Sequence, residues 1–165
     1  VTLWRSLSNP DLASLQKLAM DLGQELGPRS VVCLQGPLGS GKTTFLQFCL
    51  HAVGVVQGTV VSPTYSLHHH FQTIWRGAPL QVEHWDLYRL ESSDDLESTG
   101  FWDQFAEPAD TNQCSRWFFV EWSDRLVQFE GRDLEKVFPK TLALWRVVWS
   151  ATEDQGFNLQ ISTDW

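Results

Sequence analysis

Eight consecutive residues have the make-up of a phosphate cradle. Gly36-Pro37-Leu38-Gly39-Ser40-Gly41-Lys42-Thr43 matches GxxxxGK[ST] at every specified position. The glycines permit backbone geometries that a Cβ would obstruct, so successive amide N–H groups can converge on phosphate oxygens. A helix starting there points its N-terminal dipole at the same anion. Lys42 would neutralise charge on the β- and γ-phosphates, and the Thr43 hydroxyl would complete a magnesium shell. The bland alternative is a chance glycine turn with a solvated lysine. Context argues against it: the apolar run Val31-Val32-Cys33-Leu34 precedes the loop as a buried strand, and a helix from Lys42 to about Val53, stopped by Gly54, follows.

A loop of this kind needs an acidic partner at a neighbouring strand end to hold magnesium, directly or through water. Two residues qualify. Asp86 ends the run Leu80–Trp85, and Glu121 follows Trp117-Phe118-Phe119-Val120. One carboxylate can bind the metal while the other orients the attacking water or joins the metal shell. Carboxylates at strand ends are usually just solvated. Glu121 is less easily dismissed, because it sits between Val120 and Trp122 directly after four apolar residues.

The elements that must position these groups can be read in outline. Asn9-Pro10-Asp11 opens a first helix, with Asn9 as cap, Pro10 at the first helical position and Asp11 complementing the dipole. Leu12, Leu15, Leu18, Ala19, Leu22 and Leu26 recur at helical spacing before the Gly27-Pro28 stop. Strands are expected near Thr59–Ser62, at Leu67–Phe71, at Leu80–Trp85 and at Trp117–Val120, with a mostly helical stretch from Asp94 to Phe105 broken near Gly100. Leu142–Trp149 and Phe157–Ile161, separated by a turn-rich segment, read as an antiparallel pair. The expectation is one α/β domain over residues 1–165, with a mixed parallel/antiparallel sheet and a C-terminal antiparallel hairpin. Strand order is not legible.

Composition narrows the function. The 165 residues carry 12 Lys+Arg against 20 Asp+Glu, a formal net charge of −8. Gripping a nucleic-acid backbone takes clustered basic residues, so no direct DNA binding is expected, and tRNA would be met only through a complex. No apolar run approaches the ~18–20 residues of a membrane-spanning helix, and no secretory signal is visible at the first residue, Val1, and those after it. The three cysteines, Cys33, Cys49 and Cys114, are too scattered for a disulfide framework. A reducing, cytoplasmic setting is the default expectation.

The strings GPLGSGKTTF (36–45), SPTYSL (62–67), HWDLYRL (84–90), DLESTG (95–100) and VEW (120–122) occur in the order found in the TsaE (YjeE) family, and over about positions 8–125 the chain closely resembles that family. The resemblance implies a three-layer P-loop NTPase fold and a bacterial ATPase using ATP/ADP and Mg2+. That ATPase works with the TsaD and TsaB proteins in making N6-threonylcarbamoyladenosine beside the tRNA anticodon. It further implies that Gly36, Pro37, Leu38, Gly39, Ser40, Gly41, Lys42, Thr43 and Thr44 hold the nucleotide, with Thr64 near the γ-phosphate and Trp122 beside the acidic residue. Lys42, Asp86 and Glu121 would be catalytic, and Thr43, Asp86 and Glu121 would hold the metal. Three departures stand out. Pro37 replaces an acidic residue, Ser123 replaces the proline of the family's Glu-Trp-Pro, and Phe157 stands where an arginine often follows Gly156. The last puts base-side contacts in question.

Other features read more blandly. In a strand only His68 and His70 of His68-His69-His70 share a face, and two imidazoles make a weak metal site. His84 could orient Asp86 two residues on, or be a core histidine. Cys33 reads as a small core residue. Two rival functions remain. A small-metabolite kinase would bring more basic residues over the phosphates than Arg76, Arg89 and Arg125 supply. A nucleotide-gated adaptor would keep Lys42 and Thr43 but not depend on Glu121. No guanine-reading Asn-Lys-x-Asp and no Leu-Ser-Gly-Gly-Gln string is present, which disfavours a GTPase and an ABC-type ATPase.

Overall fold

The structure is a computed structural model that describes residues 1–56, 67–105 and 114–164. Its central strands are continuous apolar runs whose side chains are buried on both sheet faces. Strand β2 (Arg29–Gln35) sends Val32 and Leu34 to one face and Val31 and Cys33 to the other, and all four are fully buried. Such two-sided burial is what a mostly parallel central strand requires.

Seven strands form one sheet in the order β1-β7-β6-β2-β5-β4-β3. These are β1 (Thr2–Ser8), β2, β3 (His68–Trp75), β4 (Ala78–Asp86), β5 (Ser115–Glu121), β6 (Ala143–Ala151) and β7 (Phe157–Thr163). The middle is parallel, with β2 between β6 and β5, and β4 beside β5. The flanks are antiparallel: β3 on β4, β7 on β6 and β1 on β7. The mixed sheet and the C-terminal hairpin are therefore both present.

Helices α1 (Leu12–Glu25) and α2 (Lys42–His51) pack together over one face, where Leu18, Leu22, Phe45 and Leu46 meet Phe119 and Val147. The other face is covered by shorter pieces: α3 (Ser93–Ser98), a 3₁₀ turn at Trp102–Phe105, α4 (Asp124–Glu130) and α5 (Leu134–Val137). There Leu96, Phe101, Phe105, Leu126 and Phe138 close over Val31, Cys33, Phe118 and Val120. The result is three layers. Cys33 is a core residue as expected, and burial raises its thiol pKa to about 12.

Several expectations change. The cap of α1 is Asp11, whose side chain accepts from the Ser14 N–H at 2.8 Å. Asn9 lies outside the helix at φ +43, its N–H donating to the Phe157 carbonyl, so the hairpin has claimed it. Strand β1 and helices α4 and α5 were not foreseen. β1 is an outer strand whose exposed side chains leave little hydrophobic alternation to read. The strand expected near Thr59–Ser62 lies outside the described residues.

His68 and His70 do share a face, but they hold a carboxylate. Glu83, opposite them on β4, lies 2.7 Å from His68 and 3.1 Å from His70, and also receives Arg116 at 3.0 Å. Among the described residues no group of three or more His, Cys, Asp or Glu side chains is placed to hold a metal ion. Burial pushes the Glu83 carboxyl up, but hydrogen bonds from His68 and Arg116 and the proximity of His70 outweigh it and hold it at about 2. A carboxyl depressed from 4.5 to about 2 contributes on the order of 3 kcal/mol, fully present above its unfolded value and lost as pH falls toward 2. In urea titrations between pH 6 and 2, Glu83→Gln should flatten this part of the acid-induced loss. An unchanged slope would show that the cluster does not set acid stability.

Candidate nucleotide-binding site

The glycine loop spans the gap between the end of β2 and the start of α2. It can turn that tightly because Gly36 and Gly41 adopt φ +150 and +95, where a Cβ is disfavoured. At Gly36 space is closed as well: a Cβ there would stand 2.7 Å from Trp149 Cβ and 3.1 Å from the Trp149 carbonyl. The loop is thus seated on the C-terminal hairpin. Gly41 caps α2, whose free N–H groups face the loop.

The parallel register brings the acidic residues to the same end of the sheet. Glu121 pairs with Leu34 of β2 on one side and with Asp86 of β4 on the other. A cavity of about 320 Å³ opens there, lined by Leu38, Gly39, Gly41, Lys42, Thr43 and Thr44 of the loop and helix, and by Asp86, Tyr88, Glu121 and Trp122. Gly36 and Pro37 lie behind it, where their carbonyls accept from Lys42 Nζ at 2.9 and 2.8 Å. Ser40 turns toward an adjacent cavity of about 290 Å³ shared with Asn9, Trp149 and Phe157, and its buried hydroxyl has no partner among the described residues. Thr64 lies outside the described residues. Tyr88 was missed by the sequence reading. It comes two residues after Asp86, its N–H donates to Asp86 Oδ1 at 3.0 Å, and its ring leans on Trp122.

Polar groups inside the cavity are paired with each other. The Thr43 hydroxyl lies 2.9 Å from both carboxylate oxygens of Glu121, which is 2% exposed. His84 Nε2 lies 2.9 Å from Glu121 Oε1, so the histidine addresses Glu121 rather than Asp86. Lys42 Nζ stands 3.9 Å over the Trp122 ring. Burial lowers the lysine pKa, while Glu121, Asp86 and Asp124 pull it back up. Trp122 takes φ +58, an uncommon left-handed conformation for a large side chain. The next residue, Ser123, donates its N–H to the Leu34 carbonyl at 3.3 Å, a bond that proline cannot make. The departure at this position therefore ties the turn to the strand before the loop.

A hydroxyl and two carboxylates form the all-oxygen set that suits magnesium, and a lysine beside amide N–H groups suits phosphate. A larger cavity of about 520 Å³, between α5 and the start of β6, is lined largely by Leu134, Phe138, Pro139 and Leu142. It lies at the opposite end of the parallel strands, and although Glu135, Lys140, Thr141, Thr163 and Asp164 also line it, it has no glycine-rich loop to receive a phosphate. Chemistry rather than volume selects the site.

Sheet order, layers and loop together define a P-loop protein. A family model described as "Threonylcarbamoyl adenosine biosynthesis protein TsaE" matches residues 9–148, and the chain belongs to the TsaE family. Proteins named tRNA threonylcarbamoyladenosine biosynthesis protein TsaE are similar to it in several bacteria. That of Synechocystis sp. is 30% identical over 125 residues, covering 74% of this chain and 73% of the relative. That of Aquifex aeolicus is 36% identical over 101 residues, 57% of this chain and 73% of the relative. That of Rickettsia conorii is 36% identical over 86 residues, 52% of this chain and 47% of the relative, so the chain spans about half the length of that protein. The crystal structure of Bacillus subtilis YdiB superposes with a TM-score of 0.63 at 17% identity, covering 99% of this chain and 88% of that one. This likeness shows the shared fold. Among the described residues no helix is long and apolar enough to cross a membrane.

The seating of the loop on the hairpin can be tested directly. Gly36→Ala should cost about 2–4 kcal/mol in urea unfolding, through the disfavoured φ and the contact with Trp149. A variant of wild-type stability would mean that the close approach at Gly36 is not a constraint.

Proposed function

We propose that this chain is the ATP-binding and ATP-hydrolysing component of the machinery that forms N6-threonylcarbamoyladenosine in tRNA beside the anticodon, acting with TsaD and TsaB proteins as one ATPase domain. One observation carries the enzymatic part: Lys42, Thr43, Asp86 and Glu121 converge on a single cavity at the end of β2, β4 and β5. Membership of the family supports the biosynthetic setting. The acidic balance supports a role in which tRNA is met only through partner proteins.

The chain's own groups divide the work. Amide N–H groups of the loop and of the first turn of α2 receive the phosphates. Lys42 leaves the carbonyls of Gly36 and Pro37 to meet the β- and γ-phosphates, exchanging two neutral acceptors for stronger anionic ones. Thr43, Asp86 and Glu121 would hold Mg2+, which would supply neutralisation of phosphate charge. Of the two carboxylates, Glu121 is the more buried and the better fixed, which suits it to orient the attacking water. The chain transfers no threonyl or carbamoyl group; hydrolysis drives a change in the partner complex.

Magnesium-dependent ATP turnover, measured alone and with a TsaD–TsaB pair, tests this reading. Lys42→Ala should abolish or greatly weaken ATP binding in calorimetry, and unchanged affinity would defeat the loop assignment. Glu121→Ala should bind ATP nearly as well while turnover falls ~10²–10⁴-fold. Equal turnover would remove Glu121 from catalysis. ATP bound without turnover under either condition would favour the nucleotide-gated adaptor.

A further inference from the structure

His84 is fully buried near the C-terminal end of β4, between Glu83 and Trp85 and opposite Phe119 of β5. Its Nε2 lies 2.9 Å from Glu121 Oε1. Its Nδ1 is buried and has no partner among the described residues. Burying an imidazole with one nitrogen unpaired is costly, and an apolar side chain would pack there without that penalty. Among the described residues it is the contact made by Nε2 that offsets this cost. An ionised carboxylate only accepts hydrogen bonds, so Nε2 carries the hydrogen and donates to Glu121. Thr43 reaches the same carboxylate from the loop side. The Glu121 head group is thereby held by a donor in the sheet, independent of the helix that carries Thr43.

We propose that His84 is a positioning residue for Glu121, its Nε2–H fixing the carboxylate in the orientation used on the attacking water. Asp86 lies two residues on, along the same strand face, but takes no part in this contact. Thr43 would turn from Glu121 toward the metal when nucleotide binds. His84 then becomes the protein donor that still holds Oε1. Loss of a group that orients another typically costs 10–100-fold rather than the full effect of removing the group it orients. This inference rests on the ATPase reading above.

Single-turnover hydrolysis with excess protein, paired with calorimetric ATP affinity, tests it. His84→Leu should slow hydrolysis at least ~10-fold while ATP affinity stays within about threefold, a split that general damage to the fold would not produce. His84→Gln, whose terminal amide can reach the place of Nε2, should recover most of the rate. Adding His84→Leu to Glu121→Gln should slow the reaction no further, because the two act as one unit. Should the leucine variant fail to fold, His84→Asn, too short to reach Glu121, takes its place. A wild-type rate in the donor-less variant, no recovery with glutamine, or additive losses in the double variant would each overturn the inference. Absence of any Lys42-dependent turnover in the wild-type protein would bring down the ATPase reading and this inference with it. Turnover that depends on Glu121 but ignores His84 would overturn this inference alone.

Discussion

A carboxylate buried to 2% exposure is tolerable only if its oxygens are met, and much of the site's geometry follows from how Glu121 meets that demand. Its donors come from two elements on either side of β5: Thr43 from α2, carried by β2, and His84 from β4. Both contacts require the parallel register in which Glu121 stands beside Leu34 and Asp86. A slip of one residue would turn Glu121 to the opposite face and lose both. The apolar residues Trp117 to Val120 make such a slip expensive, since each is locked into one of the two hydrophobic layers.

The sheet therefore separates two tasks by position along its strands. Its middle supplies cohesion, through side chains buried on both faces. Its end gathers the polar groups of the candidate site, where strands stop and backbone groups become free. The antiparallel flanks serve the same division. β6 and β7 carry Trp149, against which Gly36 is pressed, so the hairpin acts as a floor under the glycine loop. On the far side His68 and His70 of β3 and Arg116 of β5 surround Glu83 of β4, a cluster that ties three neighbouring strands together.

The departures from the family pattern fall where this architecture absorbs them. Ser123 replaces a proline yet adds an N–H bond to Leu34, steadying the turn that holds Trp122 at a positive φ. Phe157 stands at the head of β7 and lines the cavity beside Ser40, next to the phosphate loop but outside the Lys42–Glu121 cavity. Position 157 thus does not line the cavity between Lys42 and Glu121. A fold shared with YdiB at 17% identity is consistent with a layout in which packing tolerates wide substitution.

What the sequence determined by itself was local. The glycine loop, the apolar strand before it, the helix after it and the C-terminal hairpin are written in short-range patterns, because backbone freedom, helical spacing and strand alternation act over a few residues. The types of the acidic residues, and their places at strand ends, were legible for the same reason. Strand order, the outer strand β1 and the pairing of side chains were decided only by the tertiary structure. Thr43 and His84 lie 78 and 37 positions from Glu121, and no local periodicity reports which strand becomes whose neighbour. His84 read either as a partner for Asp86, because that residue is near in sequence, or as a core histidine, and it is indeed fully buried. It serves Glu121 because parallel pairing places β5 alongside β4, and a buried carboxylate takes the donor that the sheet puts within reach.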